Sequence, residues 1–227
     1  AMHAASARPP AAGGSVEARL AALEARVGVQ EDIAAIYNLQ NAYGYYLDKK
    51  LYDDIAALFT DDAEIEIGGR GVYRGKDAAQ RIFKQVIGGG KNGLAEGELA
   101  NHMQLQGVVH VDAGGLTAKG RWRVFGQIGA VGRMALWSEG PYEIEYRKVG
   151  GKWMFSKMIW YPTFYTPFYT GWDKAPESGG ASTQLNRDYP PDAPPSRPIL
   201  PYPGVYTLPF HYPNPVTGQW STPAAAN

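Results

Sequence analysis

Four long stretches between residues 100 and 161 alternate polar and apolar side chains, which is the pattern of β-strands with one buried face. They read ANHMQLQGVVHV, LTAKGRWRVFGQIG, RMALWSEGPYEIEYRKV and KWMFSKMIWY. Two of the links, DAGG and GG, supply glycines for the positive φ angles of tight turns. Because tight turns join antiparallel neighbours, the pattern predicts an antiparallel sheet.

Helices are predicted before this sheet. Residues 15–27 predict a first helix, capped by Ser15 and ended by Gly28, with one apolar stripe of Val16, Leu20, Leu23 and Val27. Further helices are predicted at about 30–50, 52–59 and 76–87, with a short strand, AEIEI, between the last two. Helices followed by a long sheet predict an α+β fold, in which the helices pack on one face of a curved antiparallel sheet.

The last part of the chain is rich in proline: 14 of the 17 prolines lie from Pro162 onward. Proline lacks a backbone donor, so this part is predicted to be neither helix nor central strand. Its many aromatic residues and few charges favour an ordered, extended arm lying across its own domain or a neighbouring subunit. We therefore divide the chain into a flexible lead (1–14), an α+β domain (15–170) and an arm (171–227).

Composition excludes several classes of function. Lys+Arg and Asp+Glu both number 22, so neither nucleic acid nor a membrane surface is an expected partner. A neutral chain is less protected against self-association, which favours a homo-oligomer, a dimer or higher. The chain has no cysteine, which excludes disulfides and thiolate metal sites. No secretory signal is visible, so we expect a cytoplasmic protein, with the periplasm left open in case a signal peptide has been removed.

The usual cofactor and nucleophile motifs are missing from the sequence. It has no phosphate-binding loop, no His-Glu-x-x-His pair and no Gly-x-Ser-x-Gly elbow. A three-histidine metal site would require His211 to fold back toward the other histidines. These observations leave acid–base chemistry in a pocket, with no metal and no cofactor.

Asp48 is the first candidate for that chemistry, at the end of the helix predicted at about 30–50. Asn41, Gly44 and Tyr45 share its helix face, which would suit the wall of a pocket. The alternative is a solvated helix end, although a carboxylate there is disfavoured by the helix dipole by about 0.3–1 kcal/mol.

His102 is the second candidate, on the first long strand. Alternation places it on one face with Gln104, Gln106 and Val108, either as a pocket lining or as an ordinary polar or core surface. On the next strands, alternation predicts Arg–Glu pairs across the outer face. The inner face would then hold Trp122, Tyr142 and Tyr146, as core or as the lining for a flat aromatic ligand.

The order of these elements resembles a known family. The segments YGYYLDKKLYDDIAALFTDDAEIEI, NHMQLQGVVHVDAGG and GPYEIEYRKVGGKWMFSKMIWYPTF, within residues 16–170, are similar to the SnoaL-like branch of the nuclear-transport-factor-2-like superfamily. The resemblance implies a cone-shaped α+β barrel with a deep pocket. Asp48 and His102 match the aspartate and a histidine of the scytalone dehydratase pattern, whereas Leu47 and Ile67 replace its two tyrosines and its second histidine has no counterpart.

The tail after WYPTFYTPFYTGW resembles a bacterial subgroup that includes cofactor-independent diarylpropane lyases, which release formaldehyde from lignin dimers to form a stilbene. The resemblance implies a lyase acting on a small aromatic substrate. We expect His102, held by Asp48, to be its acid–base residue, and we add Tyr45 as a third catalytic residue that would hold a substrate oxygen. The residues expected to bind substrate are Asn41, Gln104, Trp122, Tyr142 and Tyr161. Two alternatives stay open: a dehydratase, isomerase or hydrolase for a polycyclic or terpenoid ligand, and a non-catalytic ligand-binding dimer module.

Overall fold

The structure is a computed structural model, and it describes residues 14–174, 186–205 and 208–221. The helices are α1 (Val16–Asp48), α2 (Tyr52–Ala56), a π-helix (Gln80–Ile87) and a 3₁₀ turn (Trp172–Lys174). The strands are β1 (Phe59–Ile67), β2 (Val72–Arg74), β3 (Glu98–Val111), β4 (Thr117–Ala130), β5 (Met134–Val149), β6 (Lys152–Trp160) and β7 (Phe164–Pro167). The predicted lead lies almost wholly outside the described residues.

The strands form one curved, unclosed sheet in the order β2-β1-β6-β5-β4-β3, with β7 paired to the first part of β5. Helices packed on such a sheet confirm the predicted α+β cone. The sheet is mixed rather than wholly antiparallel, because β1 pairs with β6 in parallel. Tight turns predicted β3 to β6 correctly. They carry no information about β1, whose partner comes about 90 residues later in the chain.

Helix α1 is one continuous element of 33 residues, so the predicted stop at Gly28 is wrong. Ser15 is the N-cap as predicted, since its hydroxyl accepts a hydrogen bond from the Ala18 N–H at 3.2 Å. Gly28 does not adopt the positive φ of a helix-ending glycine. An interior glycine costs a helix about 1 kcal/mol, which the good helix formers on either side offset.

Two other segments differ from the predictions. The segment KDAAQRIFKQVI forms a π-helix rather than an α-helix, and it buries Ile82 and Phe83. The proline-rich part contains an edge strand, β7, which pairs with β5; the prediction excluded a helix and a central strand there but did not foresee an edge strand. Strand β7 is short and has its one proline as its last residue, where the loss of a ladder donor costs least.

A bulge in β3 changes which side chains share a face. The register with β4 shifts between Leu105 and Val108, and Gln106 has a φ of 53°. Before the bulge, His102 and Gln104 face α1, where Gln104 bonds to Gln40. After it, Gln106 and Val108 border the arm instead. The prediction of one continuous face is therefore wrong, because a bulge adds one residue to a period of two.

The described part of the arm lies on its own domain. Val72 donates a backbone hydrogen bond to Ala193 O at 2.9 Å, and the Tyr73 hydroxyl donates to Tyr189 O at 2.9 Å. Farther along, the guanidinium of Arg121 donates to Leu208 O at 3.0 Å. Arg121 also pairs with Glu143 across β4 and β5, which confirms the predicted outer-face ion pairs. Within the described ranges, no helix is long and apolar enough to cross a membrane.

Candidate functional site

Asp48 and His102 meet where the end of α1 crosses the start of β3. The carboxylate oxygen Oδ1 of Asp48 accepts the backbone N–H of His102 at 2.6 Å. The same oxygen lies 3.6 Å from Nδ1 of the His102 ring. A second link, from Lys50 Nζ to Glu98 Oε2 at 2.6 Å, ties the two elements together just beyond the pair. Asp48 is therefore held against the strand that carries the histidine.

Gly44 allows this close crossing. A Cβ atom at Gly44 would lie 2.7 Å from Cγ of Gln104 and 3.3 Å from the carbonyl oxygen of His102. The first distance is well below an ordinary carbon–carbon contact of about 3.5–4.0 Å. Any larger residue would push the helix and the strand apart, one turn before Asp48.

A buried chain of hydrogen bonds fixes the backbone of the histidine. The indole N–H of Trp122 donates to the Tyr146 hydroxyl at 2.8 Å, and that hydroxyl donates to Gln40 Oε1 at 2.9 Å. Gln40 donates onward to Gln104 Oε1 at 2.7 Å, and Gln104 donates to the carbonyl oxygen of His102 at 2.9 Å. Gln104 and Trp122, expected to bind substrate, have their polar atoms engaged in this chain.

A cavity of about 90 Å³, partly open to solvent, lies within the cone. Its lining includes His102, Ser138, the aromatic residues Tyr43, Phe83, Tyr142, Trp160 and Tyr165, the apolar residues Leu47, Ile67, Ile87, Val124 and Ile128, and one cation, Arg70. At about 30 Å³ per water, it would hold roughly three waters, so a ring can enter only if the cavity widens. The π-helix forms part of the lining and ends at Ile87, which is 37% exposed.

The cavity wall also contains several buried polar groups. The hydroxyls of Tyr43 and Tyr142 lie 3.2 Å apart. Burial raises the pKa of Tyr142 to about 12 and raises the pKa of Tyr43 well above its usual value, so both phenols are neutral donors near pH 7. Nδ1 of His102 and the indole nitrogen of Trp160 are buried with no hydrogen-bond partner in the described chain.

Arg70 brings a positive charge to this cavity. It lies in the turn between β1 and β2, and its guanidinium donates to the carbonyl oxygen of Ile67 at 3.1 Å. Within the described ranges, no carboxylate lies within ion-pair distance of it. Desolvation lowers the pKa of the guanidinium, although arginine remains protonated in proteins.

The other expected site residues lie outside the cavity lining. Asn41 and Tyr45 border an outer groove of about 420 Å³, together with Asp48, His102 and Gln104. The side chain of Tyr45 is 73% exposed. His102 thus borders both the groove and the cavity, whereas Asp48 borders only the groove.

Of the three expected ring-stacking residues, Tyr142 lines the cavity. Trp122 packs edge-on against Tyr37 in the core, with ring centroids 4.6 Å apart. Tyr161 lies on the arm side of the sheet, where its hydroxyl is 3.4 Å from Ser196. We assign no substrate contact to Trp122 or Tyr161.

Sequence reasoning did not find most of the cavity lining. Arg70 stands between glycines in GGRGVYRG, which resembles a solvated turn. Gln40 did carry a signal, because it is a polar residue at a core position of α1, and it is fully buried. Ser138 and Tyr165 lie on β5 and β7, whose pairing was not predicted.

A second histidine pair lies on the arm side of the sheet. His211 does fold back, and its Nε2 lies 3.2 Å from Nδ1 of His110. His102 is on the other face, so the three histidines do not converge. Among the described residues, no group of three or more His, Asp or Glu side chains is arranged to hold a metal ion.

The model of the SnoaL-like domain family matches residues 29–159. A search of the curated proteins found no match.

Among solved structures, the chain is similar to LinA, with 22% identity and a TM-score of 0.56 over 63% of this chain and 94% of that one. The hexachlorocyclohexane dehydrochlorinase LinA-type3 from Novosphingobium barchaimii is also 22% identical, with a TM-score of 0.54 over 63% and 94%. A protein from Novosphingobium aromaticivorans, provisionally assigned as a scytalone dehydratase, is 20% identical, with a TM-score of 0.54 over 63% and 91%. At these identities the likeness shows a shared fold. The family match covers more than half of the sequence, and on that ground the chain belongs to the SnoaL-like domain family, within the nuclear-transport-factor-2-like fold.

Proposed function

We propose that this protein is a cofactor-independent lyase for a small aromatic substrate, with His102 as the acid–base residue and Asp48 as its partner. The observation that carries the proposal is the 3.6 Å separation between the Asp48 carboxylate and Nδ1 of His102, on a histidine that also borders the cavity. A non-catalytic module would not need such a pair. Apo sites often hold catalytic hydrogen bonds slightly long, and they tighten around substrate.

In this mechanism the two ring nitrogens of His102 have different roles. Nδ1 faces Asp48, whose negative charge fixes the tautomer and stabilises the imidazolium. Nε2 is then free to take a proton from substrate and return it to a leaving group. Tyr43 and Tyr142, both neutral, would donate hydrogen bonds to substrate oxygens.

The substrate we propose is a lignin-derived diarylpropane bearing a benzylic hydroxyl and a terminal hydroxymethyl group. His102 removes the proton of the hydroxymethyl oxygen, and the carbon–carbon bond to that carbon breaks to release formaldehyde. The freed electron pair forms the stilbene double bond as the benzylic hydroxyl leaves, protonated by the imidazolium, as water. The products are therefore one stilbene, one formaldehyde and one water. Widening at Ile87 would admit one ring, and the groove bordered by Asn41 and Tyr45 would accommodate the other.

The volume of the cavity favours one alternative, the elimination of water from a single-ring substrate. A space of about 90 Å³ suits a compact molecule better than a two-ring dimer. The two reactions are separated by their products. Formaldehyde, trapped as a coloured adduct, accompanies only the first, whereas the second releases water without loss of carbon.

The catalytic assignment is tested with two substitutions and one control. His102→Ala should lower turnover about 10²–10⁴-fold, the usual contribution of a positioned acid–base group. Asp48→Asn keeps an oxygen that can accept the His102 backbone N–H but removes the charge, so the fold should survive while turnover falls. Asp61→Asn is the control, because the Asp61 side chain is 81% exposed and borders neither the groove nor the cavity. Unchanged turnover in both site variants would exclude this assignment.

A further inference from the structure

The first inference concerns Arg70, and it deepens the proposed function. A guanidinium has five N–H donors, yet Arg70 makes one hydrogen bond, to Ile67 O, within the described chain. The Arg70 side chain is half-buried and its charge is partly desolvated, so an anionic acceptor in the cavity would bind its remaining donors more favourably than it would bind those of a fully solvated arginine. Trp160, in the same lining, also has a buried indole N–H with no partner.

The turn that carries Arg70 is held in place by the arm. Gly71 packs so closely that a Cβ there would lie 2.6 Å from Pro191, and Val72 bonds to Ala193 at 2.9 Å. Beside it, the buried carboxylate of Glu66 accepts the Ser196 hydroxyl at 2.5 Å. The arm therefore helps to fix the position of a cation that makes no ion pair with any described residue. Such bracing is expected for a binding group rather than for a solvated surface arginine.

We propose that Arg70 and Trp160 form an anion subsite, and that the ligand of the cavity carries an ionised oxygen, a carboxylate or a phenolate, on an aromatic ring. The guanidinium binds the anionic oxygens and the indole N–H donates to one of them, while Tyr142 and Phe83 contact the ring. The inference rests on the proposed function and narrows it, because it specifies that the aromatic substrate carries an ionised oxygen on a ring.

The test compares benzoate with benzamide, which have nearly the same shape and differ in charge. By titration calorimetry, benzoate should bind the wild type at least about tenfold more tightly than benzamide, a difference of about 1.4 kcal/mol. Arg70→Met should abolish that preference, and Arg70→Lys should keep part of it. Arg74→Met is the matched control on the same hairpin, because its side chain is 50% exposed and pairs with Glu64.

Equal affinity for the two probes, no binding of benzoate, or unchanged discrimination in Arg70→Met would each overturn the subsite. The anion subsite and the proposed reaction can be refuted independently of each other. His102→Ala should retain the preference for benzoate, since it leaves Arg70 in place. Loss of turnover in His102→Ala without any benzoate preference in the wild type would keep the reaction and reject the subsite.

A second inference rests on a different part of the chain, the free first half of α1. The predicted stripe is present but unpartnered: Val16, Leu20, Leu23 and Val27 are 72%, 54%, 52% and 55% exposed. At about 100° per residue, this stripe lies roughly opposite the face on which α1 buries Ile36 and Gln40. A helix of another molecule can therefore pack against this stripe without contacting the α+β domain.

The spacing of the stripe is that of a coiled-coil seam. Leu20 and Val27 occupy a positions, and Val16 and Leu23 occupy d positions. Val27 at a beside Leu23 at d is the combination that favours two strands, whereas Leu20 at a and Val16 at d do not follow it. The seam ends at Gln30, the next d position.

The charged residues that flank the seam indicate whether the two helices run parallel or antiparallel. Arg19 and Arg26 occupy g positions, and Glu24 and Glu31 the following e positions. In a parallel pair, each g residue faces the next e residue of the partner, which gives Arg–Glu pairs on both sides. In an antiparallel pair, g faces g and e faces e, so like charges would meet. Within the described chain these four residues make no ion pair.

We infer that the free half of α1 pairs with a second copy of this chain as a parallel two-stranded coiled coil. Because the chain has no cysteine, one introduced cysteine reports the geometry. Leu20→Cys should form a disulfide-linked dimer under mild oxidation, because equivalent a positions meet across a parallel seam. Ala25→Cys, on the outer face, is the control and should cross-link poorly.

Sedimentation measures the association itself. The wild type should sediment as a dimer, and Leu23→Asp as a monomer. Arg26→Glu should weaken the dimer, and adding Glu31→Arg should restore it. A monomeric wild type, a trimer, a dimer unaffected by Leu23→Asp, or cross-linking at Ala25→Cys equal to that at Leu20→Cys would each overturn the inference.

Discussion

Replacing Gly44 by alanine tests whether the crossing of α1 over β3 builds the site. The added Cβ would lie 2.7 Å from Cγ of Gln104, about 1 Å closer than normal contact. Gln104 cannot simply move aside, because it bonds to both Gln40 and the His102 carbonyl. The helix must shift instead, and overpacking of this kind costs about 1–3 kcal/mol.

The same helix offers a matched control. Gly28→Ala adds the same methyl group where no atom lies within 4 Å, so it gains only helix propensity, at most about 1 kcal/mol. Gly44→Ala receives the same gain and the overpacking cost besides. In urea denaturation, Gly44→Ala should therefore be less stable than Gly28→Ala by about 1–3 kcal/mol.

Activity should separate the two variants further. A shift of about 1 Å between Asp48 and His102 would lower turnover about 10²-fold in Gly44→Ala. Gly28→Ala should keep full turnover. Equal stability and equal turnover in the two variants would refute the conclusion that this contact sets the geometry of the pair.

Three further outcomes are expected. Gln40→Leu should lower the free energy of unfolding in urea by about 2–5 kcal/mol, because two buried groups that bond to the Gln40 amide lose their partner. Since the pKa of Tyr142 is raised to about 12, the pH–rate profile of the wild type should show no tyrosine titration near pH 10, and Tyr142→Phe should leave its shape unchanged while lowering the rate. Burial, with a smaller effect of His211, lowers the pKa of His110 below 6.5, so the unfolded chain binds more protons near that pH and stability should fall as the pH drops through about 6.5. His110→Gln should flatten that pH dependence of the unfolding free energy.

The sequence predicted the strands well where their partners are local. Strands β3 to β6 follow one another through short turns, so alternation and glycine were sufficient to predict both pairing and the Arg121–Glu143 contact. Two pairings were missed, the parallel pairing of β1 with β6 and the antiparallel pairing of β7 with β5. Neither pair of strands is connected by a tight turn, so no local sequence signal marks it. The bulge at Gln106 was also missed, since the surrounding residues alternate as though it were absent.

Only some residues of the candidate site were predicted, because the others are brought together by contacts between distant parts of the sequence. Asp48 and His102 were found because family resemblance links a helix end to a strand 54 residues away. Arg70 was missed because a turn flanked by glycines resembles solvated surface, and the cavity that it borders is formed by residues distant in the sequence. Helical spacing correctly placed Tyr45 beside Asp48 at the groove, but it carried no information about the exposure of the Tyr45 side chain, which is 73%.

The continuity of α1 has a mechanical consequence. At about 1.5 Å per residue, its 33 residues form a rod of roughly 50 Å, with Asp48 as the last residue. A tilt of only about 5° about the middle of such a rod moves its ends by about 2 Å, a large fraction of the 3.6 Å between Asp48 and the His102 ring. A load that tilts the free half of the helix would therefore change the distance between the Asp48 carboxylate and the His102 ring at its other end.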